Sequence, residues 1–221
     1  MRKSVSIRLP DALLQGDLSI PRGAIGTVAF AHGSGSGRHS PRNRFVAEQL
    51  NEAGLATLLM DLLTGEEERV DGVTAEFRFD IDLLARRTAQ IVRWIAAQRP
   101  LSGLPCGLFG SSTGAAAALV AAASLPGGSV RAVVSRGGRP DLAAGTLSGV
   151  PCPTLLIVGG FDDMVINLNK QAQARMRCPT RLEIVPGATH LFEEPGALEK
   201  VARLAADWFV RHFAEQVVGC V

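Results

Sequence analysis

Short runs of β-branched and aliphatic residues alternate along the chain with segments of helical periodicity. Six of these runs are strand candidates, and most of them are continuously apolar, which is typical of parallel strands covered on both faces of a sheet. They are Thr27–Ala31, Ala56–Met60, Gly107–Phe109, Ala132–Ser135, Thr154–Val158 and Arg181–Val185. Two N-terminal runs, Ser4–Leu9 and Asp17–Ile20, predict an antiparallel hairpin at one edge of the sheet.

Helical signals lie between these strands. Ser40 and Pro41 predict an N-cap and a first-turn proline, and Gly54 is placed to end that helix. A longer helix is predicted from about Ala75 to Gln98, because apolar residues recur there at steps of three and four. A last helix of the same periodicity follows Pro195.

The alternation of strands and helices predicts an α/β fold with an open, doubly wound, mostly parallel sheet. The chain has 221 residues and shows no internal repeat or linker-like change of composition, so we expect one domain over residues 1–221. In sheets of this kind ligands bind at the carboxyl ends of the strands. The search for chemistry therefore concentrates on the residues that follow each strand.

Charge and composition exclude several classes of protein. Twenty-three basic and 21 acidic residues leave a net charge of +2, without the basic stripe of a nucleic-acid-binding protein. The longest apolar stretch, Ala115–Ala123, is far shorter than the roughly 20 residues that cross a bilayer, and no apolar segment follows the N-terminal charges as in a signal peptide. Four cysteines lack C-x-x-C or metal-ligand spacing, which favours reduced thiols in a cytoplasmic protein without a metal. They are Cys106, Cys152, Cys178 and Cys220.

The segment Gly110–Gly114 has the pattern G-x-S-x-G with Ser112 at its centre. An apolar strand enters this segment and an alanine-rich run leaves it, as at a sharp strand-to-helix turn that exposes a nucleophilic serine above a sheet. An ordinary glycine-rich turn between a strand and a helix has the same composition. The sequence therefore makes Ser112 a candidate nucleophile that needs partners to support it.

Two acid–base partners follow in the expected order. Asp162 and Asp163 stand after the strand Thr154–Val158, and His190 follows the strand Arg181–Val185. Serine, then aspartate, then histidine is the chain order associated with this turn. We expect His190 to accept the Ser112 proton and Asp162 to orient the imidazole, with Asp163 as the competing acid.

A glycine-rich loop after the strand Thr27–Ala31 completes the predicted site. Its amides, those of Ser34 or Gly35, are expected to stabilise an oxyanion together with the N–H of Thr113, while His32 pins the loop. The same strand and loop also suggest a dinucleotide fold. That alternative fails on its motif, because Arg38 stands where the third glycine of G-x-G-x-x-G belongs and no G-K-[ST] follows.

Together these residues resemble the α/β-hydrolase superfamily, and within it the dienelactone hydrolase-like branch. The resemblance extends from HGSGSGRHSPRN through GSSTG and SRGGRPDL to VGGFDDMV and GATHLFEEPG. It implies an eight-stranded type of sheet, a Ser112–Asp162–His190 triad and hydrolysis of an ester or similar acyl bond. Dienelactone hydrolases proper use a cysteine nucleophile, so the serine here favours a general serine esterase.

Access and charge refine the expected substrate. Only 18 residues separate Ser135 from Thr154, too few for a helical lid, so the fold is predicted to be lidless or nearly so and its substrates small and soluble. Arg136 and Arg38 are candidate ligands of a substrate carboxylate, and structural ion pairs with Glu66–Glu68 or Asp141 are the alternative role for arginines of this region.

We expect a serine hydrolase that acts on small-molecule esters, lactones or thioesters through an acyl-enzyme. No cofactor, nucleic acid or membrane is expected as a partner, and a monomer and a homodimer are equally compatible with the sequence. The alternative is a catalytically idle hydrolase fold that binds a ligand or a partner protein. Acyl transfer to an acceptor other than water needs the same residues and is left open.

Overall fold

The structure, a computed structural model, describes residues 1–214. Its strands are β1 (Arg2–Arg8), β2 (Leu13–Ser19), β3 (Gly26–Ala31), β4 (Leu55–Met60), β5 (Cys106–Ser111), β6 (Ala132–Arg136), β7 (Thr154–Gly159) and β8 (Thr180–Val185). Its helices are α1 (Pro41–Glu52), α2 (Gly65–Thr74), α3 (Ile81–Ala97), α4 (Thr113–Ser124), α5 (Asp163–Arg175) and α6 (Ala197–Ala214).

The eight strands form one sheet in the order β1-β2-β4-β3-β5-β6-β7-β8. Strands β1 and β2 form an antiparallel hairpin, β2 also pairs antiparallel with β4, and all pairs from β4 through β8 are parallel. This is the predicted open, doubly wound arrangement. Because β3 and β5 are neighbours at the centre, the chain reverses direction across the sheet there, which is where such folds bind ligands.

Helices cover both faces of the sheet. Apolar side chains of α3 and α4 pack on one face, and those of α1 and α6 pack on the other. The central strands β3, β4, β5, β6 and β7 are buried along their whole length, which explains why their sequences are continuously apolar. Strands β1, β2 and β8, towards the two edges of the sheet, have exposed or partly exposed positions.

The long helix predicted from Ala75 to Gln98 was placed wrongly at its start. Ala75 has a φ of 58° and ends α2, a helix that the sequence analysis did not predict. Thr64 and Glu67 begin α2 with reciprocal side-chain-to-backbone hydrogen bonds, and Asp80 caps α3 by accepting from the Leu83 N–H at 2.9 Å. An alanine in the left-handed region gives no sequence signal, since glycine is the usual residue there.

The connection between β6 and β7 contains two short 3-10 helices, Pro140–Ala143 and Leu147–Gly149, and no inserted lid. Helix α5, which follows β7, was not predicted either. Cys106 and Cys152 are buried and Cys178 is partly buried, all without a disulfide, whereas Cys220 lies outside the described residues. Among residues 1–214 no helix has the length and apolar character needed to cross a bilayer.

Candidate functional site

Ser112 stands at a sharp turn between β5 and α4. Its backbone has a φ of 50° and a ψ of −119°, values that a residue other than glycine seldom adopts. The Ser112 N–H donates to the Arg136 carbonyl at 3.2 Å, and its own carbonyl accepts from the Ala115 and Arg139 amides at 3.1 Å each. The backbone on both sides of the serine is therefore fixed by β6, by α4 and by the loop after β6.

Glycines allow the turn to form. A Cβ atom at Gly110 would collide with the backbone of Ala115, and one at Gly114 would collide with the carbonyl oxygen of Ala31 at the end of β3. Gly33 lies on the other side, where an added Cβ would be 3.1 Å from the Cβ of Ser112. The loop after β3 is thus packed directly against the serine.

Asp162 and His190 lie together, in agreement with their predicted pairing. The Nδ1 of His190 is 2.6 Å from Oδ2 of Asp162, which leaves the other ring nitrogen, Nε2, available to a reacting group. Asp163 is the first residue of α5 and is exposed, without a contact to His190 among the described residues. Of the two acids that the sequence left as alternatives, the structure thus places Asp162, and not Asp163, against His190 within residues 1–214.

Two features hold the His190 loop over the end of β6. Gly137, which follows β6, has a φ of 51°, and a Cβ there would lie 3.4 Å from Cε1 of His190. Phe192 is fully buried among the apolar side chains of α1 and α6 although its own φ is 57°. Gly137 directly follows Arg136, whose carbonyl accepts the Ser112 N–H. The His190 ring therefore lies against the residue next to the one that holds the serine backbone.

His32 anchors the glycine-rich loop. The Leu62 N–H donates to Nε2 at 3.1 Å, and Nδ1 donates to the Gly33 carbonyl 2.9 Å away. A ring that accepts at Nε2 carries its proton on Nδ1 and is neutral. Burial lowers the pKa of His32, only partly offset by the Gly33 carbonyl and by Asp61 and Glu68.

The loop presents its amides beside the start of α4. The Ser36 N–H is already used in a hydrogen bond to the Gly33 carbonyl at 3.2 Å, whereas residues 1–214 offer no acceptor to the amides of Ser34 and Gly35. Thr113 follows the serine at the first position of α4, where helix N–H groups have no partner within the helix. Partial positive charge therefore accumulates on this side of Ser112.

A cavity of about 180 Å³ opens beside this loop. Its lining includes Ser34, Gly35 and Thr113, together with residues of α2 and of the segment that follows α2. Arg78 is one of these. Its Nε donates to Oδ2 of buried Asp71 at 2.7 Å, and its Nη1 lies 3.7 Å from the position of a Cβ at Gly35. The Thr113 hydroxyl is buried here, and residues 1–214 give it no hydrogen-bond partner.

Arg38 is bound within the protein. Its amide donates to Oδ1 of Asp61 at 2.9 Å, its guanidinium pairs with the other oxygen of the same carboxylate, and Nε is 3.9 Å from Asp17. The structure thus gives Arg38 structural partners, although not the Glu66–Glu68 group suggested by the sequence. Arg139 does pair with Asp141, at 2.8 Å.

The sequence analysis missed the residues of α2 and of the segment after it that form a wall of the cavity. Asp71 and Arg78 belonged to a predicted loop and a predicted helix, and no motif marks them. Their contribution depends on the break at Ala75, which brings the Phe77 and Arg78 amides to the Asp71 carboxylate at 2.9 and 2.8 Å. The described residues contain no cluster of histidine, cysteine or acidic side chains that is suited to a metal ion.

The fold and the site now bear comparison with known proteins. A solved dienelactone hydrolase from Anabaena variabilis is 55% identical to this chain and superposes with a TM-score of 0.94. The alignment covers 96% of this chain and 98% of that one. The chain belongs to the dienelactone hydrolase family. The esterase Est1E from Butyrivibrio proteoclasticus shares the fold, with a TM-score of 0.80 at 15% identity over 96% of this chain and 99% of that chain.

Among curated proteins, a putative phosphoribosyl transferase from Mycobacterium tuberculosis is 59% identical over 197 residues. That alignment covers 89% of this chain and 43% of the mycobacterial protein. This dienelactone hydrolase family chain thus spans less than half the length of the curated relatives that it matches. No protein-family model matches the chain.

Proposed function

We propose that this chain is a serine hydrolase that cleaves carboxylic ester, lactone or thioester bonds of small soluble substrates. The observation that carries the proposal is the pairing of His190 with Asp162 at 2.6 Å beside a serine held at a positive φ. Such a backbone conformation is strained, and strain of this kind is concentrated at functional sites. Membership of the dienelactone hydrolase family supports the same class of reaction.

In the proposed reaction His190 Nε2 takes the Ser112 proton as the serine oxygen attacks the carbonyl carbon. Asp162 keeps the remaining ring proton on Nδ1 and stabilises the imidazolium. The Thr113 amide and an amide of Ser34 or Gly35 donate to the oxyanion of the tetrahedral intermediate. The imidazolium then protonates the leaving oxygen or sulfur, and a water molecule repeats the sequence on the acyl-enzyme to release the acid.

The cavity beside Gly35 and Thr113 favours short acyl groups. Its volume of about 180 Å³ is smaller than the roughly 300–1,000 Å³ of sites that enclose drug-sized ligands. The polar groups around it, among them the Thr113 hydroxyl and the Arg78 guanidinium, favour acyl groups that carry a hydrogen-bonding substituent. A long alkyl chain would leave these groups without partners.

The alternative proposal is a hydrolase fold that binds a ligand or partner without catalysis. The strained serine argues against it, because binding alone does not need that conformation. The transferase activity in the name of the mycobacterial relatives is not proposed here, since more than half of those proteins lies outside the matched segment.

A series of 4-nitrophenyl esters of increasing acyl length tests the proposal. We expect kcat/KM to be highest for acyl groups of about two to four carbons, a size that suits a small cavity, and to disappear in Ser112→Ala. The matching thioesters separate esterase from thioesterase activity. Failure of the folded parent to cleave any ester or thioester would contradict the proposal.

A further inference from the structure

Arg136 is a buried cation at the edge of the proposed active site. It is the last residue of β6, pairs in register with Ser111, and accepts the Ser112 N–H through its carbonyl oxygen. Side chains alternate between the faces of a strand, and Val134, two residues earlier, packs with α1 and α6. The Arg136 side chain therefore lies on the α1/α6 side of Ser112, whereas the cavity beside Thr113 contacts α2 and α3 on the other side.

Within residues 1–214 no carboxylate lies within 4.0 Å of the Arg136 guanidinium. The residue is 8% exposed, and its Nη1 atom is buried without a hydrogen-bond partner in the described part of the chain. Buried Arg87 differs, because it binds both carboxylate oxygens of Glu67. A buried cation without a counter-charge destabilises a fold unless a ligand supplies the anion.

The charge near Arg136 is also positive. Burial, followed by repulsion from Arg42 at the start of α1, lowers the pKa of Arg136 to about 10, so that the guanidinium is still protonated at neutral pH. Arg42 donates to Glu193 at 2.8 Å, and none of the residues that the structure describes is a hydrogen-bond partner of its buried Nε atom. Among residues 1–214, Arg42 has one carboxylate partner and Arg136 has none, which leaves a positive region next to the nucleophile.

We propose that Arg136, assisted by Arg42, binds an oxyanion group of the substrate, a carboxylate or a phosphate, on the α1/α6 side of Ser112. The inference rests on the proposed function and narrows it to anionic esters. Guanidinium donors match the paired oxygens of carboxylate and phosphate, and the anion would satisfy the buried Nη1 atom. The reacting bond would then lie between an anion held by Arg136 and a group seated in the Thr113 cavity.

The test compares neutral and anionic esters of matched size in the parent, in Arg136→Gln and in Arg139→Gln. One pair places the charge on the acyl half (4-nitrophenyl hemiglutarate against 4-nitrophenyl pentanoate). The other pair places it on the alcohol half (the acetate ester of 3-hydroxybenzoate against that of 3-cresol). Arg139 is the control because it lies in the same loop and already pairs with Asp141.

We expect Arg136→Gln to lower kcat/KM for the anionic member of at least one pair by about 10- to 100-fold, mainly through KM, since charge-assisted hydrogen bonds are lost. The neutral members should change less than about twofold, as should all four esters in Arg139→Gln, because the Arg139 guanidinium already pairs with Asp141. An equal loss for neutral and anionic esters, or no loss for any, would overturn the proposal.

A binding measurement separates this proposal from the hydrolase proposal. In Ser112→Ala, glutarate or inorganic phosphate should raise Tm, and the additional change Arg136→Gln should abolish that rise. The more effective anion distinguishes a carboxylate substrate from a phosphorylated one. Arg136→Gln alone should melt no lower than the parent, because it removes an unpaired buried cation. Absence of any anion-induced shift in Ser112→Ala, or a shift that survives Arg136→Gln, would overturn the anion site whatever the outcome for esters.

Discussion

The Oδ2 atom of Asp162 lies 2.6 Å from Nδ1 of His190, although 28 residues separate the two in the chain. Asp162 follows β7 and His190 follows β8, and these strands are parallel neighbours. Their carboxyl ends therefore deliver the acid and the base to the same edge of the sheet. Ser112 reaches that edge from β5, two strands away from β7, so the three residues follow parallel strands of one sheet at the same edge.

This pairing predicts different effects for two adjacent acids. Asp162→Asn should lower kcat by about 10²- to 10⁴-fold with little change in KM, because the imidazole loses the group that fixes its tautomer and stabilises its charge. Asp163→Asn, one residue on and exposed, should lower kcat less than about threefold, as exposed charges generally contribute little. Steady-state kinetics on a short-chain ester measures both. Equal losses in the two variants would contradict the assignment of Asp162.

The contact of Gly33 with Ser112 predicts that loop position controls activity. In Gly33→Ala the new Cβ would approach Ser112 Cβ at 3.1 Å and the Ser111 carbonyl oxygen at 3.2 Å, so the loop must move away. Loss of one oxyanion donor typically costs about 10²- to 10³-fold in kcat, and we expect part of that loss here. Gly65→Ala, at a glycine with open space around it, is the matched control. Unchanged kcat in Gly33→Ala would argue against an oxyanion role for this loop.

His32 predicts a loss of stability in mild acid. Burial lowers its pKa below the value of about 6.5 that it has in the unfolded chain. Between these two values the unfolded state binds the proton and the folded state does not, so stability falls as the pH drops below about 6.5. His32→Gln, which keeps an acceptor for the Leu62 N–H, should show a smaller fall in Tm from about pH 7.5 to about pH 5.5 than the parent does.

His39→Gln is the control for that measurement, because it removes an exposed histidine and leaves the buried His32 in place. A His32→Gln variant that loses as much Tm as the parent over this range would show that the pH dependence has another origin.

Arg87 predicts a large contribution to stability from one buried ion pair. Its side chain is 2% exposed and donates to the Leu62 carbonyl and to both oxygens of Glu67, at 2.7 to 2.8 Å. Arg87→Met should lower the free energy of unfolding by about 2–4 kcal/mol, since a carboxylate and a carbonyl lose their donor. Arg86→Met is the control. The Arg86 side chain is 54% exposed, and its nitrogen lies at the longer distance of 3.5 Å from the Asp11 carboxylate, so its loss should cost less than about 1 kcal/mol.

Urea unfolding measures both variants, with an unchanged m-value as the check that the unfolded states are comparable. Equal losses in Arg86→Met and Arg87→Met would contradict the importance of burial for this pair.

Much of the fold and of the site was predictable because it depends on local pattern. The buried strands have continuously apolar sequences, so their positions can be predicted. Ser112, Asp162 and His190 each follow a parallel strand, so the edge of the sheet at which they lie can be predicted as well. Asp162 and Asp163 are equivalent in sequence, however, since the distinction depends on which side chain faces β8. The hydrogen bonds of the turn after β7 determine which of the two acidic side chains faces His190.

Other features depend on contacts between distant segments. Arg38 is engaged by Asp61 and Asp17, which come from the ends of other strands, and its own surroundings in sequence reveal neither. The division of the predicted long helix into α2 and α3 depends on Ala75 in a left-handed conformation that alanine rarely adopts. The absence of a carboxylate beside Arg136 within residues 1–214 is similarly invisible in sequence, because it depends on where the fold places the acidic residues of that part of the chain.

The central claim is that Ser112 is an activated nucleophile, and covalent labelling tests it most directly. The measurement is intact mass after brief incubation with a fluorophosphonate, for the parent, for Ser112→Ala and for Ser124→Ala, a distant serine of α4. We predict one adduct per chain on the parent and on Ser124→Ala, and none on Ser112→Ala. Absence of an adduct on the folded parent, or labelling that survives Ser112→Ala, would contradict the account.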